Sequence, residues 1–260
     1  MVELTEEEKK YPYAKYFYQP MASVPEDKKR IADGPAADSH TFLPIEERNR
    51  FLAGDKDTLS VGFGVAENGT GFVANSTFMP DVTVAMMDWW FGWHSVTSDL
   101  RYKIWDPEDH YRARADKPDY VKNPAVPENQ KTWGVTHHII EDIGMGPSPL
   151  TLHFMSPADF GYDPALVGTQ SCNSLVCASG EGNCPAAMTH KFSAVPGGIL
   201  FESRFWIGYL YRQGQFYKVV PDGQRVPEVV PRSLFRHNIK EFANLAAILP
   251  HVYEEEKENW

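Results

Sequence analysis

MTHKFSAV-PGG-ILFESRFWIGYLY, residues 188–211, is the stretch that decides the predicted fold. Two runs rich in β-branched and aromatic residues flank Pro196-Gly197-Gly198, a pattern typical of a β-hairpin. The second run is long enough to cross a wide sheet. The stretch therefore predicts two adjacent strands, at 188–195 and 199–211.

Further strands are predicted before this hairpin. Residues 132–143 are rich in β-branched and aromatic residues and end at Gly144-Met145-Gly146-Pro147, and residues 150–155 form a short apolar run. Residues 112–131 are charged and proline-rich, which predicts a surface loop. The second half of the chain is thus predicted to be mainly β-structure.

Two helices are predicted from apolar spacing. After Pro80-Asp81 the apolar residues recur at helical intervals, which predicts a helix that ends near Gly92 or His94. A C-terminal helix is predicted over residues 231–249. Its apolar positions are Leu234, Ile239, Phe242, Leu245 and Leu249. Residues 1–50 contain repeated prolines without sustained periodicity, so we expect an N-terminal arm of short helical turns packed on a main domain at 51–260.

The composition excludes several classes of partner. The 260 residues carry 25 Lys and Arg against 35 Asp and Glu, a formal charge of −10. Since phosphate binding requires a basic surplus, we expect no nucleic-acid partner. The most apolar stretches, 82–94 and 199–211, are interrupted by charged residues, so we expect no membrane-spanning segment. The charged N-terminus lacks a signal-peptide pattern, which predicts a cytoplasmic protein.

The pair His237 and Glu241 is the first candidate for chemistry. At positions i and i+4 of a helix, an imidazole and a carboxylate lie on one face and can reach one metal ion together. Such pairs also occur on solvated helix faces. His94 is the second candidate, because it follows the apolar segment Trp89-Trp90-Phe91-Gly92-Trp93, although a His at a helix end often interacts only with the helix dipole.

The strand around residues 136–142 is the third candidate. Alternation places His137, Ile139 and Glu141 on one face and His138 and Asp142 on the other. The alternation does not decide which face points inward.

Three cysteines occur in one Gly/Ser/Asn-rich stretch, at Cys172, Cys177 and Cys184, with His190 six residues after the last. Four such ligands can form a structural zinc site, but the paired C-x2-C spacing typical of these sites is absent. We therefore expect free thiols in a flexible loop, with structural zinc as the alternative.

Four segments in order resemble the phloretin hydrolase and 2,4-diacetylphloroglucinol hydrolase family. They are the tryptophan-rich segment at 89–94, RYKIWDPEDH at 101–110, SRFWIG at 203–208, and HNIKEFANLA at 237–246. The similarity spans about residues 80–250. No single motif is diagnostic, and the identification rests on their order along the chain.

The resemblance implies an α+β fold of the helix-grip, Bet v 1-like type, in which a curved antiparallel sheet surrounds a long C-terminal helix. It also implies hydrolysis of the carbon–carbon bond between a polyphenol ring and its acyl group with a bound divalent metal, taken as Zn²⁺. Carried over to this sequence, the metal ligands are His94, Glu141, His237 and Glu241, with Asp142 and Glu128 as alternatives for the mid-chain carboxylate. His190 and His138 are the candidate catalytic or substrate-binding residues. A homodimer is the family's expectation.

Two other readings remain beside this hydrolase hypothesis. A helix-grip protein can bind an aromatic polyphenol without turnover, and a metal-dependent oxygenase can use the same His and Glu ligands while consuming oxygen. Convergent metal-type ligands favour catalysis over simple binding. The high aromatic content, 13% of residues, predicts flat apolar walls around a polyphenol.

Overall fold

A computed structural model describes residues 1–182 and 184–260 and contains ten strands in these ranges. The strands are β1 (Gly62–Val65), β2 (Gly71–Pro80), β3 (His110–Ala115), β4 (Thr136–Glu141), β5 (Ser148–Met155), β6 (Ser174–Glu181), β7 (Ala186–Val195), β8 (Gly198–Ile207), β9 (Tyr209–Arg212) and β10 (Gln215–Lys218). Eight of them form one antiparallel sheet in the order β1-β2-β8-β7-β6-β5-β4-β3. The strands β9 and β10 form a separate hairpin.

Most of the helices are short. They are α1 (Lys15–Tyr18), α2 (Glu26–Asp33), α3 (Asn49–Leu52), α4 (Val84–Trp93), α5 (Leu100–Lys103), α6 (Pro118–Lys122), α7 (Pro157–Phe160) and the 28-residue α8 (Val229–Glu256). Across the described residues, no helix combines the length and the hydropathy needed to cross a membrane.

The predicted hairpin at the centre of the sheet is confirmed. Strands β7 and β8 pair from Val195↔Gly198 at the turn to Ala186↔Ile207 at the far end. The second strand is shorter than predicted, because Gly208 adopts φ +94° between β8 and β9. A Cβ at this glycine would lie 2.4 Å from the Val220 side chain, so the close approach also requires glycine.

The C-terminal helix packs on the inner face of this sheet, which confirms the predicted α+β architecture with a sheet around a long helix. Phe242 of α8 stacks on Phe201 of β8 with ring centroids 3.8 Å apart, and it meets Trp105 edge-on at 5.2 Å. Phe235, Leu245 and other apolar residues of the same helical stripe are fully buried. Burial of such large side chains supplies most of the stability of a helix in water.

The helix predicted after Pro80-Asp81 is also confirmed. It forms α4 over Val84–Trp93, with the Thr83 hydroxyl accepting a hydrogen bond from the Met86 amide at its start. The C-cap residue is His94. This helix therefore delivers His94 to the interior of the molecule.

Two segments predicted as loops contain strands. Strand β3 includes residues 112–115, where Arg112 and Arg114 alternate with buried Ala113, and it pairs with β4 as the last strand of the sheet. Charged side chains on the outer face obscured the strand pattern. Strand β6 contains Cys177, which is buried between β5 and β7 and therefore does not lie in a flexible loop.

The N-terminal arm packs against the rest of the chain through polar contacts as well as apolar ones. Glu8 accepts a hydrogen bond at 2.8 Å from Lys103 of α5, and Arg232 of α8 donates to the carbonyl oxygens of Ala32 and Gly34, each at 2.8 Å. A domain boundary at residue 50 stays a prediction.

Candidate metal centre and cavity

A cavity of about 530 Å³ lies between the sheet and α8. Apolar residues form most of its wall, including flat rings, and several ionisable side chains converge at one part of it. The ring-bearing apolar residues are Phe91, Trp105, Phe154 and Phe205, and the ionisable residues include His94, Tyr102, Glu141, His190, His237 and Glu241. A largely apolar cavity with a few convergent polar groups is the usual form of a small-molecule site.

Helix α8 brings two of the predicted ligands together. His237 and Glu241 are one turn apart, and the His237 Nε2 lies 3.8 Å from the Glu241 Oε2. Both side chains are buried, and they belong to the same helix face as the cavity wall. His237 and Glu241 therefore lie close together on one helix face, as their spacing predicts.

The register of β3 and β4 brings in a second pair. His110, the first residue of β3, is the direct cross-strand partner of Glu141, the last residue of β4. The preceding turn fixes the start of β3, because the Asp106 side chain accepts hydrogen bonds from the amides of Glu108 and Asp109. The His110 Nε2 lies 3.6 Å from the Glu241 Oε2, so the strand pair meets the helix pair.

Two imidazole nitrogens face each other at this point. The Nε2 atoms of His110 and His237 are 3.3 Å apart. The Nδ1 of His110 donates to the Tyr102 carbonyl oxygen at 3.2 Å, and the Nδ1 of His237 donates to Asp109 Oδ2 at 3.4 Å. When both rings are neutral, as metal binding requires, each Nε2 carries a lone pair. Two facing lone pairs beside a carboxylate fit a shared cation, and zinc prefers this set of N and O donors.

The groups behind His237 are suited to orient it. Asp109 accepts from its Nδ1, and Asp106 Oδ2 lies 3.9 Å from the same atom. A carboxylate on the Nδ1 of a ligating histidine fixes the ring and leaves Nε2 for the metal. Lys240 contacts Asp106 at 3.2 Å and also forms an ion pair with Asp109, which balances part of this negative charge.

Asp106 is itself close enough to be a ligand. Its carboxylate and ligand atoms of His110 and His237 all lie within 4.8 Å of one another. Asp106 faces Lys240 and the Nδ1 side of His237, whereas Glu241 faces the Nε2 atoms of both imidazoles.

The pKa values describe a cluster that favours a bound positive charge. Burial raises the pKa of Glu241 to about 8, and Glu141 adds to this effect. Burial opposes protonation of His237, but the carboxylates of Glu241, Asp109 and Glu141 outweigh it and raise its pKa to about 10. Burial lowers the pKa of His110 well below its usual range, and the neighbouring His237 acts in the same direction. A metal ion would compete with protons for these same atoms.

His94, which the resemblance implies as a metal ligand, does not belong to the cluster of Asp106, His110 and His237. It lines the cavity, but its Nδ1 donates to the Trp90 carbonyl oxygen at 2.8 Å, and its ring packs among Trp90, Tyr102 and Trp105. Burial lowers its pKa to about 4. His110, the last residue of the motif at 101–110, lies beside the His237 Nε2, and a ligand role for His94 stays a prediction.

The three carboxylates considered as the mid-chain metal ligand have different surroundings. Glu141 lines the cavity and accepts a hydrogen bond from the Tyr102 hydroxyl. Asp142 instead accepts from the amides of Gly144, Met145 and Gly146 and closes the β4–β5 turn. Glu128 is exposed on a turn next to Lys131.

The two other predicted histidines have different surroundings. His190 lines the cavity, its Nδ1 lies 3.0 Å from the Ser203 hydroxyl, and burial lowers its pKa to about 3. His138 is exposed on the outer face of β4, because the alternation that buries His137 turns its neighbour away. His138 therefore lies outside the cavity lining, and its predicted substrate contact stays a prediction.

The cysteines do not form the alternative zinc site. All three thiols are free, with Cys172 and Cys177 buried and Cys184 half-buried at the cavity wall. In the described residues they belong to no cluster of metal-type ligands, and His190 faces Ser203 instead.

Comparison with known proteins identifies one matching family, several similar proteins and a solved structure. Residues 42–254 match the DAPG hydrolase PhiG domain family. The chain is 56% identical over 261 residues to a phloretin hydrolase of Eubacterium ramulus, covering 100% of this chain and 95% of that protein. It is 28% identical to a 2,4-diacetylphloroglucinol hydrolase of a Pseudomonas species, covering 94% and 88% of the two chains. Among solved structures, Ara h 8.0201 aligns with a TM-score of 0.42 at 11% identity, covering 70% of this chain and 98% of that one.

Proposed function

The chain belongs to the DAPG hydrolase PhiG domain family, and from this premise we propose that it hydrolyses the carbon–carbon bond between a phloroglucinol-type ring and its acyl group. The proposed reaction converts an acylphloroglucinol such as phloretin, together with one water, into phloroglucinol and a carboxylic acid. The observation that carries its metal dependence is the convergence of the His110 and His237 Nε2 atoms on Glu241 at the cavity.

We assign His110, Glu141, His237 and Glu241 as the residues that would hold a divalent metal, with zinc as the proposed ion. The metal would supply Lewis acidity toward the acyl oxygen and toward water. Two imidazoles and two carboxylates form a donor set that zinc accepts, and that iron or manganese also tolerates. A homodimer remains a proposal from the family resemblance.

The cavity residues account for binding and orientation of the substrate. Phe91, Trp105 and Phe205 would contact the faces and edges of a flat ring. His190 stays neutral at ordinary pH, because burial lowers its pKa to about 3, and it would exchange hydrogen bonds with a ring hydroxyl. The apolar walls limit the access of bulk water, which strengthens each polar contact inside.

The reaction also requires two proton transfers, one from water and one to the ring carbon. Water loses one proton as its oxygen bonds to the carbonyl carbon, the bond between the carbonyl carbon and the ring carbon breaks, and the ring carbon takes a proton; the second water proton stays with the carboxylic acid. Three electron-donating hydroxyls make a phloroglucinol ring a good proton acceptor at carbon. We assign the proton transfer to Tyr102, whose hydroxyl lines the cavity and is held by its hydrogen bond to Glu141.

The test combines metal analysis of the purified protein with anaerobic incubation with phloretin and related acylphloroglucinols. We expect about one metal per chain and release of phloroglucinol without oxygen. A protein that binds phloretin but releases no product would instead support a non-catalytic carrier. Product formation only in the presence of oxygen would support the oxygenase reading.

A further inference from the structure

A buried lysine of the N-terminal arm begins a hydrogen-bond chain that reaches the proposed metal centre. Lys28 of α2 is 6% exposed, and its Nζ donates to Asn75 Oδ1 at 2.7 Å and to Thr77 Oγ1 at 2.6 Å. Its partners are a carboxamide and a hydroxyl rather than a carboxylate. Burial of an ammonium group in such surroundings is unfavourable and lowers its pKa to about 8. A buried cation without a carboxylate partner is therefore unusual at this position.

Two buried asparagines continue the chain from β2 to α8. The Asn75 Nδ2 donates to Asn238 Oδ1 at 2.9 Å, and the Asn238 Nδ2 donates to Glu241 Oε1 at 3.0 Å. Both asparagines are fully buried. The chain thus joins an ammonium group of the arm to a carboxylate at the cavity through two carboxamides.

The hydrogen-bonding capacity of the end groups fixes the orientation of each amide. An ammonium only donates, and the carboxylate form of Glu241 that would bind a metal only accepts. Lys28 must therefore face the oxygen of Asn75, which turns the Asn75 NH₂ toward Asn238. In the same way, the Asn238 oxygen faces Asn75 and its NH₂ faces Glu241. Every bond points in the same direction, so each one polarises the next.

The consequence for Glu241 is that its two oxygens have separate partners. Oε1 is held by Asn238, and Oε2 lies 3.6 Å from the His110 Nε2 and 3.8 Å from the His237 Nε2. We propose that Lys28 is a positioning residue that acts through Asn75 and Asn238 to hold Glu241 with Oε2 directed at the two imidazoles. The inference rests on the proposed function, because it assumes that Glu241 is a metal ligand.

The test is the variant Lys28→Met, which keeps much of the side-chain volume and removes the charge and the donors. Metal affinity is measured without substrate, by competition with a chromophoric chelator, and kcat and KM are measured separately on phloretin. Outer residues that orient a ligand usually contribute 10- to 100-fold to metal affinity or activity. We expect about a tenfold loss of metal affinity and of kcat, with little change in KM, because Lys28 does not line the cavity.

Lys29→Met is the matched control. Lys29 is the next residue on α2, but it is exposed and pairs with Glu26 on its own helix. We expect this variant to keep the metal affinity and kcat of the wild type. A similar loss in both variants would contradict a specific role for Lys28.

A double-mutant cycle separates positioning from general loss of stability. If Lys28 acts through Asn238, then adding Lys28→Met to Asn238→Ala should cause no further loss of metal affinity. Fully additive losses would overturn the proposal. If Lys28→Met fails to fold by circular dichroism, Asn75→Leu interrupts the same chain from β2 and leaves Lys28 bonded to Thr77, and wild-type metal affinity in that variant would also overturn the proposal.

The metal content of the wild type distinguishes failure of the proposed function from failure of the role proposed for Lys28. A wild type without stoichiometric metal would refute the proposed metal dependence, and the inference with it. A wild type with metal, together with an unchanged Lys28→Met variant, would refute the role of Lys28 alone.

Discussion

Truncation of His110 and truncation of His94 should affect metal binding to different extents, which tests the proposed ligand set. Both imidazoles are buried, and both pack against Tyr102 and Trp105. His110→Ala and His94→Ala should therefore cost similar packing energy, about 3 kcal/mol by analogy with other large buried truncations. Only the first removes a nitrogen that lies 3.3 Å from the His237 Nε2 and 3.6 Å from the Glu241 Oε2.

The expected loss of metal affinity follows from the number of proposed ligands. Loss of one of four direct ligands should exceed the 10- to 100-fold effect typical of supporting residues, so we expect His110→Ala to bind metal at least about 100-fold more weakly. His94→Ala should stay within about tenfold of the wild type. Elemental analysis and chelator competition measure the affinity, and thermal melts of the metal-free proteins measure the shared packing cost. A metal-free His94→Ala beside a fully loaded His110→Ala would refute the assignment.

Three further predictions concern other parts of the chain. Burial raises the pKa of Asp88 to about 7 from about 4 in the unfolded chain, so its contribution to stability is complete below pH 4 and is lost as the pH rises through 7. Allowing for its partial exposure, Asp88→Asn should reduce the fall in stability between pH 4 and pH 8 by about 1–2 kcal/mol, and an unchanged profile of melting temperature against pH would count against this. His138→Ala should leave kcat and KM on phloretin within twofold, since the side chain is exposed outside the cavity; a tenfold loss would restore its predicted role. Replacing all three cysteines by serine should preserve metal content by elemental analysis while lowering the melting temperature, because two of the thiols are fully buried, and loss of metal would revive the structural-zinc alternative.

Local patterns predicted the elements whose signals are local. The hairpin around Pro196-Gly197-Gly198 and the helix α8 follow from apolar runs, turn residues and helical spacing, and the pair His237 and Glu241 follows from one helical turn. Strand β3 was missed because arginines occupy its alternate positions.

His110 illustrates why non-local contacts are harder to predict. His110 lies 31 residues before Glu141 and 127 before His237, and no periodicity links these positions. Only the register of β3 on β4, and the packing of α8 over the sheet, bring them together. The available signal was the turn Asp106-Pro107-Glu108-Asp109 directly before His110, which fixes the start of the strand. The chain from Lys28 to Glu241 likewise depends on three elements that are distant in sequence.

The most direct test of the central claim is the source of the new oxygen in the acid product. The metal-loaded protein is incubated with phloretin in ¹⁸O-labelled water without oxygen gas, and the carboxylic acid is analysed by mass spectrometry. Hydrolysis of the carbon–carbon bond predicts phloroglucinol together with an acid that carries ¹⁸O from water. Failure to form these products without oxygen, or an acid without label, would contradict the account.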